Sequence, residues 1–122
     1  MLALERIEDG SYLGIVGMDD LGDNAAEFGW YLPSRAWGRG YAAEATDLLL
    51  AFGFEDRGFA RIIATCDPEN RRSCRRLERS GLVQIADRQT TVATWQGERS
   101  RIWYEIDRAR WTSLMGDTTP IT

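Results

Sequence analysis

The sequence predicts an α+β domain: a mixed, mainly antiparallel sheet with one parallel crossover, and two main helices. Three observations carry that prediction. The stretch from Ala26 to Arg57 passes from the alternation of large and small side chains typical of a strand, through a glycine-rich turn, to a helical period from Tyr41. Turn chemistry at Glu8-Asp9-Gly10-Ser11 and at Leu21 to Asn24 divides the preceding chain into alternating segments. After the helix, Arg61 to Cys66 (RIIATC) is short, apolar and β-branched, as a buried strand is.

Taken in order, Leu2 to Arg6 and Tyr12 to Asp19 alternate as strands around the first turn, giving an antiparallel hairpin. The second turn lets Ala26 to Leu32 return as a third strand. Pro33 cannot prolong it, having no N–H for a ladder, and Gly38 and Gly40 admit backbone conformations that other residues avoid. In the helix, Ala42, Ala45, Leu49 and Phe52 fall on one face, opposite Glu44, Asp47 and Glu55. Gly58 ends it. Because Arg61 to Cys66 is reached through a helix, it should lie parallel to the third strand by a right-handed crossover. Asp67-Pro68-Glu69-Asn70 stops that strand and starts a second helix, where Asn70, Ser73 and Leu77 share a face and Gly81 is the C-terminal cap. Leu82 to Thr94 and Ser100 to Ile106 form a last hairpin around Gln96-Gly97-Glu98, and Arg108 to Leu114 a short helix. Residues 1–115 are expected to make a single domain and 116–122 a loose tail.

At 122 residues the chain suffices for one core and not for two. Its hydrophobic fraction of 43% and charged fraction of 28% are those of an ordinary soluble globular protein. The sequence has no apolar run of membrane-spanning length and no leader of signal type, so a cytoplasmic setting away from membranes is expected. Cys66 and Cys74 are too few for a disulfide framework, and without histidine they make a poor metal set. Two buried free thiols and no metal are expected. A formal charge of −4 argues against general nucleic-acid binding and suits an amine or basic peptide as partner. All 15 basic residues are arginine, which we ascribe to codon bias. Trp95, Trp103 and Trp111 cluster late in the chain, where core packing is the default expectation and a dimer contact or acceptor wall are the alternatives.

A helix N-terminus carries unpaired N–H groups and about half a positive charge, so glycines ahead of it invite an anion, above all a pyrophosphate. Three phosphate loops compete. A Walker A loop ends in G-K-S/T, and the chain has no lysine. The dinucleotide fingerprint G-x-G-x-x-A is met by Gly38, Gly40 and Ala43, with Asp67 ending the next strand. In that fingerprint, however, the first glycine follows its strand almost directly, whereas Pro33 to Trp37 intervene here. The third pattern, Q/R-x-x-G-x-G/A, is met in full by Arg35, Ala36, Trp37, Gly38, Arg39 and Gly40.

On that pattern the chain resembles the GNAT superfamily of N-acetyltransferases. More narrowly, EFGWYLPSRAWGRGYAAEA followed by DPENRRSCRRLERSGL is similar to the bacterial RimJ/RimL type, which acetylates N-terminal amines of ribosomal proteins. The two blocks stand in the right order, separated by a helix and a strand. The resemblance spans Leu2 to Asp107 and implies the GNAT acyl-CoA N-acyltransferase fold, shortened at the N-terminus. The family's opening strand and pair of helices, which build one wall of the acceptor site, have no counterpart. A truncated reading frame, cover from a neighbouring subunit, or cofactor binding without turnover would each account for that.

The resemblance also implies acetyl-CoA as co-substrate and a primary amine as acceptor. Backbone N–H groups of Gly38, Arg39, Gly40 and Tyr41 are the implied pyrophosphate donors, with charge added by Arg35 and Arg39. Trp30, Tyr31 and Leu32 are expected to offer backbone groups to the pantetheine arm as an added strand would, at a splayed edge between the strand before the loop and the strand after the helix. Glu27 matches a position where an acidic residue takes the amine proton, directly or through water. Ser73 matches a serine near the thioester sulfur, able to donate a hydrogen bond to the leaving thiolate. Other branches use a tyrosine nearby, but position 77 here is Leu77. Asn70 contacts the pantetheine arm or caps its helix.

Each role has a plainer counterpart: a tight turn for the glycines, solvation for the loop arginines and the Arg71 to Arg79 run, a surface carboxylate for Glu27, a polar helix turn for Ser73. Without histidine, Cys74 has no partner for covalent catalysis, so direct attack of the amine on the thioester is expected. The rival readings are a module that holds acyl-CoA without turnover and a dinucleotide-binding fragment, which NAD affinity would reveal. An uncovered sheet would favour a homodimer.

Overall fold

The computed structural model describes residues 2–5, 12–31, 40–95 and 97–116. Strand β1 (Leu2–Glu5) pairs with β2 (Tyr12–Gly22), and β2 with β3 (Ala25–Tyr31), as an antiparallel meander. Helix α1 (Tyr41–Ala51) runs into a π-helical turn (Phe52–Asp56) and returns to β4 (Arg61–Cys66). Helix α2 (Arg71–Arg79), the hairpin β5 (Val83–Thr94) and β6 (Gly97–Asp107), and α3 (Arg108–Gly116) complete the fold. The six strands form one sheet in the order β1-β2-β3-β4-β6-β5, in which only β3 and β4 are parallel. The parallel run stops at those two, because β2 and β6 flank them antiparallel. The doubly wound sheet that a dinucleotide site requires is therefore not what this sequence builds among the described residues.

Strand β2 runs through Leu21 and Gly22, and its turn closes on Asp23 and Asn24, with φ of 54° and 61°. Two successive positive φ values match the right-handed strand twist, and Asp and Asn tolerate them because their short polar side chains bond locally. The Asn24 carbonyl then accepts the N–H groups of Ala60 (2.7 Å) and Arg61 (3.2 Å), which fixes where the crossover returns to the sheet.

One face of the sheet carries the core. Ala26 and Phe28 of β3, Ile62, Ala64 and Cys66 of β4, and Tyr104 and Ile106 of β6 pack against Ala45, Leu49 and Leu50 of α1 and Leu77 of α2. A fully buried side chain of this size contributes about 1.5–3 kcal/mol. The face of α1 differs from the expected stripe: Ala45, Thr46, Leu49 and Leu50 are buried, whereas Phe52 is 40% exposed. The reason is the π turn. Arg57 N–H bonds the Phe52 carbonyl at 3.0 Å, so the extra residue per turn rotates Phe54, not Phe52, into the core. Gly53 makes this possible, since a Cβ there would stand 2.6 Å from Ile62 Cδ1. Phe54 stacks on Trp111 with ring centres 5.3 Å apart, and the Arg108 guanidinium donates to the carbonyls of Phe54 (2.7 Å) and Phe59 (2.9 Å).

Two further expectations are corrected. Cys66 and Cys74 are buried but not free: they are joined in a disulfide with Cα atoms 6.1 Å apart. Because Asn70 starts α2 four residues after β4 ends, the first turn of α2 folds back over the last residue of β4, within bonding reach. Of the late tryptophans, only Trp111 packs on the core. Trp103 lies half-buried on the other face, donating to Thr90 Oγ1 at 3.0 Å beneath the Arg88 guanidinium, and Trp95 is 92% exposed at the β5–β6 turn. The expected turn at Glu8 to Ser11 and the tail beyond Gly116 lie outside the described residues.

Candidate active site

The site begins where β3 and β4 part. Their register covers Ala25↔Arg61, Ala26↔Ile62 and Glu27↔Ile63 and then ends. Beyond it β3 stays with β2 as far as Tyr31, and β4 stays with β6 as far as Cys66. The result is a wedge whose two inner edges present peptide groups to each other across a cleft. Phe28, Gly29, Trp30, Ala64, Thr65, Ser73 and Leu77 line it. Side chains alternate along a strand, so Phe28, Trp30 and Ala64 belong to the helix-covered face and Gly29 and Thr65 to the opposite one. The cleft thus passes through the sheet.

Each wall is held from behind. Trp30 Nε1 donates to Thr46 Oγ1 at 2.9 Å, tying the β3 wall to α1. On the β4 wall, the half-buried Arg101 donates to Thr65 Oγ1 (3.0 Å) and to the Thr65 carbonyl (3.1 Å). On the helix side, Ser73 enters from the first turn of α2. Asn70 Oδ1 accepts the Ser73 N–H at 3.2 Å, so asparagine caps this helix, and the Cys66–Cys74 bond secures the same turn to β4. At the far end of α2, Leu82 N–H bonds the Leu77 carbonyl (3.1 Å) and Gly81 N–H the Glu78 carbonyl (3.0 Å), with Gly81 at a φ of 99°. This closure satisfies the last carbonyls, and glycine was the legible signal for it.

The predicted residues distribute as follows. Trp30 and Ser73 meet in the cleft. Glu27, half-buried, stands at the apex of the wedge on the face away from the helices, opposite Asp19 of β2 and Ile63 of β4. Two residues of strand separate it from Gly29, about 7 Å. Tyr31 is 63% exposed at the end of β3. Gly40, with φ 81°, is the N-cap of α1, and the half-buried Tyr41 is its first residue. Gly40, having no side chain, makes no side-chain cap bond to the first N–H groups of this helix. Leu32, Arg35, Gly38 and Arg39 lie outside the described residues. Arg71, Arg72, Arg75 and Arg79 are exposed along α2, as a solvated face would be.

Sequence reasoning missed Gly29, Thr65, Thr46 and Arg101. A threonine inside the apolar run RIIATC was the one available hint. Tyr104 does not line the cleft. It donates to Glu78 Oε1 at 3.0 Å, and burial together with that carboxylate pushes its pKa up to about 12. Among the described residues no cluster of three or more potential metal ligands occurs, and no helix is long and apolar enough to cross a membrane.

Among the described residues, a mixed sheet with one parallel pair that splays into a cleft, next to a helix that begins at a glycine cap, is the arrangement of the acyl-CoA N-acyltransferase fold. Residues 1–83 match the family described as "Acetyltransferase (GNAT) domain", and the chain belongs to that family. It is 38% identical over 77 residues to the "Uncharacterized N-acetyltransferase YnaD" of Bacillus subtilis (strain 168), a match covering 63% of this chain and 45% of that protein. The chain therefore spans less than half the length of this curated relative.

Among solved structures, a GNAT-family acetyltransferase from Bacillus anthracis superposes with a TM-score of 0.74 at 27% identity, covering 84% of this chain and 63% of that one. Mutant forms of the spermidine/spermine N-acetyltransferase SpeG from Vibrio cholerae give 0.80 at 15% identity, covering 96% and 69%. A putative ribosomal-protein-serine acetyltransferase from Vibrio cholerae gives 0.74 at 22%, covering 86% and 62%. These last two share the fold.

Proposed function

We propose that this domain, residues 1–115, transfers the acetyl group of acetyl-CoA to a primary amine by direct attack. The observation that carries the reading is the cleft through the sheet, with Ser73 on one side and Glu27 beside its apex on the other. The pantetheine arm lies along the free edge of β3 at Trp30 and Tyr31 as a short extra strand, with Leu32 as the further backbone partner the family resemblance implies. The diphosphate sits at the head of α1, on N–H groups of Gly38, Arg39, Gly40 and Tyr41 with Arg35 alongside. Asn70 acts as the cap that orients Ser73.

In this arrangement the amine nitrogen attacks the thioester carbonyl carbon from the Glu27 face. The new C–N bond forms, the C–S bond breaks, and the amine's proton passes to Glu27, directly or through water. The departing thiolate is met on the helix face by a hydrogen bond from the Ser73 hydroxyl. No covalent enzyme intermediate is required. The acceptor belongs to the class of protein N-termini and small amines, with the RimJ/RimL type as a functional analogue.

Release of free CoA from acetyl-CoA, measured with a panel of peptides and polyamines, tests this. Amine-dependent release is expected. Tight acetyl-CoA binding with no release would point instead to a holding module, and NAD binding in place of CoA to a dinucleotide site.

A further inference from the structure

Thr46 is fully buried in the middle of α1, the one polar residue among the buried non-aromatic side chains described there. A hydroxyl is a poor choice for that place. It adds nothing to packing, β-branching lowers helix propensity, and a bond back to the carbonyl four residues earlier competes with the helix. Both of its hydrogen-bonding capacities are nevertheless used. Its hydrogen is donated to the Ala42 carbonyl at 2.7 Å, and its lone pair accepts Trp30 Nε1–H at 2.9 Å. The two partners belong to opposite ends of the site: Trp30 forms the β3 wall of the cleft, and Ala42 sits in the first turn of α1.

We propose that Thr46 is a positioning residue for acyl-CoA: through Trp30 and Ala42 it sets the spacing between the thioester cleft and the helix head that takes the diphosphate. The inference rests on the acetyl-CoA reading above. One CoA molecule must satisfy both ends at once, so an error in their separation is felt as lost affinity rather than as a slower chemical step. An indole can be placed by shape alone only to within its ring packing, whereas a hydrogen bond at its nitrogen fixes which edge faces the cleft. The bond also supplies the partner that a part-buried indole N–H needs.

The test uses the whole chain. Thr46→Val keeps the shape and removes the hydroxyl, and it should raise the KM and Kd for acetyl-CoA about tenfold, the equivalent of one hydrogen bond, with kcat within about twofold. Thr46→Ser keeps the hydroxyl and should restore both constants. Trp30→Phe removes the donor and should raise KM to a similar degree. Adding Thr46→Val to Trp30→Phe should then cost little more, because both act through one contact. An unchanged KM in Thr46→Val overturns the proposal, as does a double variant whose losses multiply. If Thr46→Val does not fold, an unchanged KM in Trp30→Phe overturns it equally. A wild-type protein that binds no acetyl-CoA overturns the cofactor reading and the positioning role with it, whereas wild-type binding with an unaffected Thr46→Val overturns the positioning role alone.

Discussion

At the level of single residues, the proposed chemistry divides between a carboxylate at the wedge apex and a hydroxyl on the first turn of α2. Glu27→Gln removes the proton acceptor while keeping shape, and kcat should fall by about 10²–10⁴-fold with acetyl-CoA binding preserved. Ser73→Ala should lower kcat by less, about the tenfold that one lost hydrogen bond is worth, because only a hydrogen bond to the thiolate is lost. Steady-state kinetics with calorimetric binding separates the two effects. Tyr104 makes a different prediction. Its pKa is raised by burial and by Glu78 to about 12, against 10.0 when unperturbed, so the folded state favours the neutral phenol. That stabilisation is complete below pH 10 and disappears as pH rises towards 12. Denaturant titrations across this range should show stability falling, while a tyrosine absorbance titration that follows Tyr104 should show its phenol ionising only near pH 12. Glu27 and Ser73 can be nominated from the sequence because they sit inside recognisable blocks. Thr65 and Thr46 cannot, since their importance comes from strand register and from Trp30, which no local pattern encodes.

Among the elements, strands and helices were read largely correctly because their signals are local: RIIATC for β4, Asn70 and Gly81 for the two ends of α2. Two features were misread because they depend on tertiary contacts. The π turn moves the buried position from Phe52 to Phe54, and a helical period of 3.6 cannot anticipate an inserted residue. The cysteines are too few to suggest a framework, yet the chain reversal at Asp67 to Asn70 brings them together. Closing so short a loop stabilises by about 2–3 kcal/mol in the chain-entropy account. Protein kept from reductants should therefore resist alkylation at both cysteines when unfolded in denaturant. Adding a dithiol should then expose two thiols and lower the unfolding free energy by about that amount. Two alkylated cysteines without reductant would show that the pair is not bonded.

For the whole molecule, the class was legible because two blocks flank one helix and one strand in a fixed order, and that order determines the β3–α1–β4 crossover. What composition and order could not convey is where β3 and β4 separate, a property of three dimensions that requires both walls to be anchored, by Thr46 on one side and Arg101 on the other. The separation is the central claim, since the proposed function lays the arm of the cofactor there, in the middle of a hydrogen-bonded sheet. Amide hydrogen exchange with and without acetyl-CoA examines it most directly. The account predicts that acetyl-CoA slows exchange along the free edge at Trp30 and Tyr31 and at the head of α1 from Gly40. Unchanged exchange at both places, in protein shown by calorimetry to have taken up acetyl-CoA, would contradict it.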